Sequence, residues 1–435
     1  MIEILSNPMM IAVILMLVLC VLKINVFVSV SIAAMACALL GGADPVTGMN
    51  TFVAGLNGNI EVILSMLLFG VLANAMVKSG IGEALSPRIA KAMGKKAWII
   101  VAILAILAVL SETFILIATL FVPIVVPPLL PILNSYKVDR RLVCVAIISG
   151  FQIGYACIPV GYGLIFQGIV RDEMAANGID VSLSLVTRSS IAIAIAMLLA
   201  IALAIILFRK PRTYQAVRID YLETSAEAPK LEWKHFSCII AAIVGVIIQV
   251  WAGSMGLGAF AAVLTLVISG GIALKDSDHM FIEGMGTMAY ISFVLMAASG
   301  FANVGRTFGD LDTLVSAVVV LCNGGKLISA ILMLLLGLVI TMGIGSSWGT
   351  VPIIAAVFVP MGQQLGFSAS AVAMLIAAAA VLGDAGSPSS DQTLIPTAAF
   401  NLDGQHDHIY DTCIPSFLCD NISLFVVAVI AACVL

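Results

Sequence analysis

Apolar stretches long enough to cross roughly 30 Å of hydrocarbon recur from one end of this chain to the other, at 60–77, 189–208, 236–250, 258–274, 286–304 and 422–435. That recurrence restricts the fold more than any motif does, because a backbone crossing lipid must satisfy its own hydrogen bonds, as helices do. With 62% hydrophobic and 10% charged residues over 435 positions, there is no room between the runs for a soluble domain. The expectation is an all-α polytopic membrane protein. The N-terminus MIEILSNPMM has an acid and no Lys or Arg before its first apolar run, so residues 8–22 read as a retained span and not a cleaved signal. The nine cysteines lie mostly inside apolar runs and form no CxxC, which fits small buried thiols.

Lys and Arg cluster at Lys78–Lys96, Lys137–Arg141 and Arg209–Lys234, and the positive-inside rule puts all three on the cytoplasmic face. Residues 97–136 must then leave that face and return to it as two spans or a re-entrant hairpin, with Glu112 near the middle. The third cluster is a long polar linker that divides the chain into similar halves. FVAGL at Phe52 matches FIEGM at Phe281, Ala73-Asn74 matches Ala302-Asn303, and GYACIP at Gly154 matches GDAGSP at Gly383, all at an offset of 229. FVP occurs at Phe121 and Phe358, an offset of 237, which implies one lengthened and one shortened loop. Following the charges, the first copy enters from outside and the second from inside, so the copies are inverted around a midplane site. The expected order is N-terminal spans (1–44), first repeat (45–208), cytoplasmic linker (209–235), connecting spans (236–278), second repeat (279–421) and a C-terminal span (422–435).

Polar residues interrupt the apolar pattern at four places. In GDAGSPSSD, residues 383–391, a proline removes a backbone donor, glycines permit unusual dihedrals and serines supply hydroxyls, which describes an unwound helix lined with ligands. A buried aspartate there needs a cation, a proton or water beside it. Asp384 is the favoured buried carboxylate, while Asp391 lies at or beyond the gap. GYACIPVGYG is the uncharged counterpart in the first half. Gly343, Gly345 and Gly349 around Ser346-Ser347 suit a hairpin tip, and SETF, with Ser111, Glu112 and Thr113, takes that role in the first half. Glu112 and Asp384 at one shared site favour a cation, a proton or a zwitterion.

GSSWGT, GDAGSPSSDQT and the tail DGQHDHIYDT together resemble the NhaC-like Na+/H+ antiporter family of the ion transporter superfamily, above all a bacterial branch of amino-acid permeases that includes histidine permeases. The likeness runs from about residue 45 to the C-terminus and is more specific in the second half. It implies inverted repeats with two re-entrant hairpins and two broken helices, frequent assembly as a homodimer, a place in the bacterial cytoplasmic membrane, and elevator-type movement by analogy. It points to Ser346, Ser347, Trp348, Gly349 and Thr350 in the second hairpin and to Asp384, Ser387, Ser389, Ser390 and Asp391 in the broken helix. SETF departs from the antiporter pattern, which leaves room for an organic substrate.

The expected function is therefore secondary transport of a small polar solute, such as a histidine-like amino acid, coupled to Na+ or H+, with Na+/H+ antiport as the alternative. Membrane lipid and the solute are the expected partners, with no cofactor and no nucleic acid. An intramembrane aspartyl protease would need GxGD, where Val381 stands in place of the first glycine, and a channel would need subunits around a symmetric filter. His406 and His408 lie among Asp403, Asp407 and Asp411, a pattern that could bind a transition metal but fits better a polar loop capping the broken helix. From Leu327 to the end there is no Lys or Arg against six Asp, so this region should attract cations.

Overall fold

A computed structural model of the protein describes residues 6–22, 24–80, 97–115, 118–215, 232–272, 274–310, 313, 316, 325–344, 347–388 and 390–435. The described residues are helical apart from turns and loops. Before the linker run α1 (Pro8–Val21), α2 (Val26–Leu40), α3 (Pro45–Gly55), α4 (Ile60–Ser79), α5 (Ala97–Leu110), α6 (Ala118–Ser135), α7 (Arg140–Cys157), α8 (Tyr162–Ala176) and α9 (Leu183–Phe208). After it come α10 (Trp233–Ala252), α11 (Met255–Ile268), α12 (Ser277–Phe308), α13 (Lys326–Ile344), α14 (Ser347–Gln364), α15 (Ala369–Val381), α16 (Asp391–Phe400) and the long terminal α17 (His408–Val434). The apolar run 422–435 is thus the second part of a helix that begins at His408.

Local chemistry sets many of the helix starts. Asp44 accepts from the Val46 and Thr47 amides beside Pro45, Asp139 accepts from Arg141, and Ser182, Ser254, Ser368 and Ser390 cap α9, α11, α15 and α16 in the same way. Helices at the outside keep a broad apolar face uncovered. On α9, Leu198 is 60% and Ile206 64% exposed, as lipid contact requires. By contrast, Ala371 to Leu382 on α15 are all fully buried, so the run that precedes the polar string is the centre of the molecule.

Helix ends on either side of the linker recur at a constant spacing. α6 and α14 end at Ser135 and Gln364, α7 and α15 begin at Arg140 and Ala369, and α8 and α16 begin at Tyr162 and Asp391, each pair 229 residues apart. The FVP match at 237 is therefore a coincidence of the small apolar alphabet. In the constant register Pro123 corresponds to Pro352, Pro131 to Pro360 and Pro159 to Pro388, with no loop lengthened. Equivalent contacts recur inside the copies as well. A Cβ on Gly154 would lie 2.8 Å from the Val109 carbonyl, and one on Gly383 would lie 2.9 Å from the equivalent Leu338 carbonyl.

Between the copies the contacts are reciprocal. Asn303 donates to the Thr51 carbonyl at 2.9 Å, and Asn74 donates to the equivalent Met280 carbonyl at 3.3 Å. Gly55 packs on Gly300, while Gly284 packs on Val71, the same pair with the copies exchanged. The segments 51–74 and 280–303 consequently run antiparallel. The interrupted helices do so too. Arg140, at the start of α7, binds Asp403 beyond the end of α16, while Gln363, ahead of α15, reaches the Gly178 carbonyl beyond α8 at 3.4 Å.

Candidate functional site

Two helix pairs are interrupted where the sequence places its polar strings. α7 stops at Cys157 and resumes as α8 at Tyr162 around Pro159, and α15 stops at Val381 and resumes as α16 at Asp391 around Pro388. Each gap is pressed against a hairpin of its own copy. α5 and α6 flank a wide turn, Ser111–Ile115, that carries Glu112, and α13 and α14 flank residues 345–346. Gly161, at φ +58°, is required in the first gap, because an added Cβ would lie 1.9 Å from the Thr113 carbonyl.

Asp384 lies at the second gap and is 4% exposed. One carboxylate oxygen accepts from Ser347 Oγ, in the first turn of α14, at 2.6 Å, and the other accepts from Ser390 Oγ, at the cap of α16. The hairpin and the far arm of the broken helix thus hold one acid between them. Ser347 Oγ also shares a hydrogen bond with the Tyr155 hydroxyl at 2.9 Å. Tyr155 is the residue equivalent to Asp384 in the other copy, so the two gaps meet at Ser347. Around this point Trp348 is half-buried against the rings of Tyr155, Phe166 and Tyr162, at 5.7, 5.7 and 6.2 Å.

The other expected residues occupy graded positions. Gly349 and Thr350 are buried in the same turn as Trp348. Ser387 Oγ donates to the Met342 carbonyl at 3.1 Å and its own carbonyl accepts from Thr393, so it ties the gap to the hairpin. Glu112 is buried, with its Cβ against Gly154 at the end of α7, and it lies within electrostatic range of Tyr155 and Tyr162. Thr113 gives its hydroxyl to the Val109 carbonyl at 2.7 Å. Ser346, Ser389 and the side chain of Asp391 lie outside the described residues.

The two histidines sit on separate partners. His408 Nε2 meets the Pro388 carbonyl at 2.9 Å and its Nδ1 meets Thr397 at 2.8 Å, so the loop does cap the gap. His406 Nε2 meets Thr412 at 2.8 Å, and burial pushes its imidazole down to about 4. Among the described residues no three His, Cys, Asp or Glu form a metal-holding group. The Asp-rich tail draws its cations from the other half. Arg140, fully buried, binds Asp403, the Phe400 carbonyl and Asn134 and lies 4.2 Å over the Tyr214 ring, while Arg212 binds Asp411 at 2.6 Å. Burial opposes the Asp403 charge, but Arg140 outweighs it and holds the carboxyl below its usual range.

Tyr155 and the Arg140–Asp403 pair were not among the sequence candidates. Tyr155 had a signal, since it stands in GYACIP where GDAGSP has its aspartate. Arg140 had none beyond its place in a basic cluster. A separate cavity of about 170 Å³ is lined by Glu61, Pro159, Arg171, Leu183 and Gln249 among others, and by none of the Asp384 ligands.

Comparison with known proteins follows the same lines. Residues 153–432 match the model of the Na+/H+ antiporter family, and residues 7–93 match a second model described as the Na+-H+ antiporter family. The chain is 38% identical over 445 residues to the Bacillus subtilis protein named "Putative amino acid transporter YuiF", covering 99% of this chain and 100% of that one. It is 38% identical over 450 residues to an uncharacterized membrane protein of Haemophilus influenzae, covering 98% and 99%. Two solved transporters share the fold at 15% identity. Alcanivorax borkumensis YdaH, whose topology is described as unusual, gives a TM-score of 0.66 over 97% of this chain and 98% of that chain, and Neisseria gonorrhoeae MtrF gives 0.61 over 89% and 83%. A multi-pass helical membrane protein with hairpins pressed on broken helices and a shared buried acid, matched by that family model over more than half its length, belongs to the Na+/H+ antiporter family.

Proposed function

We propose that this secondary transporter moves a small polar solute, an amino acid of the histidine type, across the bacterial cytoplasmic membrane by alternating access, driven by Na+ or H+. The observation that carries the proposal is Asp384, a buried carboxylate whose two oxygens are held by hydroxyls from two different elements, Ser347 and Ser390. An acid so placed gains or loses a proton or cation at high energetic leverage, and either event changes what ties α14 to α16. Trp348 and its ring of aromatics form an apolar wall beside it, suited to an imidazole or a similar side chain. The antiparallel copies, 45–208 and 279–421, fit inverted repeats on either side of this midplane. The name of the Bacillus subtilis relative favours an amino acid, and the family favours Na+ or H+ as the coupling ion. A homodimer is proposed on the family resemblance.

Na+/H+ antiport without an organic solute is the second reading, favoured by the family match. Uptake of a labelled amino-acid panel, histidine first, into proteoliposomes with imposed Na+ or pH gradients separates the two. The proposal expects saturable, gradient-dependent uptake of at least one amino acid. No uptake of any, with Na+-driven proton movement intact, would establish the second reading instead. Glu112→Gln is expected to damage uptake or its pH dependence; if it alters neither uptake nor Na+/H+ exchange, Glu112 is an interfacial cap.

A further inference from the structure

The cavity of about 170 Å³ beside the first gap is lined by both signs of charge, Glu61 at the start of α4 and Arg171 on α8. Of its lining residues Glu61 and Gly253 are exposed, whereas Leu164 and Gln249 are buried, so it runs inward from the surface. α4, α9 and α10 each bring to it the helix end that lies away from the basic clusters at Lys78, Arg209 and Lys234, and the positive-inside rule therefore puts it toward the outer face. Ser254 Oγ, at 2.9 Å, and the Gly256 amide, at 3.2 Å, donate to the same oxygen of Glu61, Oε1, which fixes the carboxylate and leaves Oε2 untaken by them. Asp172 Oδ1 takes the Nε and Nη2 side of Arg171, both at 2.7 Å, and these contacts leave the edge formed by Nη1 and Nη2 for a second acceptor. Glu61 and Arg171 lie within electrostatic range of each other, yet among the described residues they form no ion pair.

Gln249 adds a third polar group to the same cavity. It is fully buried, and its Nε2 donates to the Gly161 carbonyl at 3.4 Å, a contact that assigns the amide nitrogen to that side. Its Oε1 is buried with no hydrogen-bond partner among the described residues, so what the cavity lacks is a donor, which an ammonium group supplies. A cavity of about 150 Å³ holds a benzene ring, and this one accordingly admits the head group of an α-amino acid. A simple cation would meet Arg171 and a simple anion would meet Glu61, whereas a zwitterion finds a partner for each charge, with the guanidinium edge matched to a carboxylate. The cavity also bears on the break between α7 and α8. Pro159 lines it and Gln249 holds Gly161, while Tyr155 before the same break shares Ser347 with Asp384.

We infer that this cavity is an outer entry site for a zwitterionic α-amino acid, with Arg171 binding the carboxylate and Glu61 and Gln249 the ammonium group. The inference deepens the proposed function, rests on it, and adds a site separate from Asp384. Its test is uptake of a labelled amino acid of the panel, presented at the outer face of proteoliposomes, in competition with the decarboxylated and deaminated analogues, which for histidine are histamine and imidazolepropionate. Arg171→Gln and Glu61→Gln change side chains that reach the surface, and each is expected to raise the KM for the external amino acid at least tenfold. Arg171→Gln is also expected to lose the wild-type preference for the amino acid over the amine analogue, and Glu61→Gln the preference over the acid analogue. An unchanged KM in both variants, or a rise in KM with both preferences intact, would overturn the site while wild-type uptake upheld the proposed function. A wild-type protein that takes up no amino acid would overturn both.

Discussion

Ser347 occupies the most connected position of the site, donating to Asp384 while sharing a hydrogen bond with Tyr155. A hydrogen bond to a charged partner is worth about 1.5–3 kcal/mol, so Ser347→Ala is expected to weaken apparent ion affinity by roughly tenfold or more. Tyr155→Phe, which leaves Asp384 both hydroxyl donors, should do less. Unchanged transport kinetics in both variants would make the hairpin contact purely structural. His406 offers a test on stability. Its folded value of about 4 lies below the usual 6.5, so the unfolded chain binds more protons between those values, and stability present above pH 6.5 is lost as pH falls toward 4. By pH 5 the loss is about 2 kcal/mol, and His406→Gln should flatten that part of the melting-temperature profile measured by differential scanning fluorimetry. Asp384, Ser347 and Ser390 were legible in the sequence because polar groups at membrane depth stand out against an apolar background. Tyr155 was legible only by aligning GYACIP with GDAGSP, because on its own an aromatic in an apolar helix looks like core.

At the scale of elements, the structure is built on close approach of a hairpin to a broken helix, repeated twice through Gly154 and Gly383. The breaks were readable because Pro159 and Pro388 sit among glycines in apolar runs. The hairpin register was not, since FVP recurs by chance in a chain of so few residue types, and only the helix ends restore the constant offset. What locks the end of α16 to the start of α7 is Arg140 with Asp403, a pair with side chains 0% and 2% exposed. Removing one partner of such a pair leaves a buried charge, so Asp403→Asn is expected to cost about 3–5 kcal/mol. Arg212 is 35% exposed, and Arg212→Gln should cost under about 1 kcal/mol. Equal losses in thermal unfolding of the two variants would show that burial does not govern this cluster.

Over the whole molecule, segments 51–74 and 280–303 run antiparallel, Thr51 with Asn303 and Asn74 with Met280, and the broken helices are tied by Arg140–Asp403 at one end and Gln363–Gly178 at the other. One gap carries an aspartate, Asp384, and the other a tyrosine, Tyr155, at the position 229 residues earlier. Under the proposed function, a change of charge at Asp384 reaches both gaps through Ser347, which also shares a hydrogen bond with Tyr155. The direct test is gradient-driven solute uptake in proteoliposomes by Asp384→Asn, alongside its melting temperature. The account predicts at least a tenfold loss of coupled uptake, with the melting temperature within a few degrees of wild type. Full coupled uptake in that variant would contradict it.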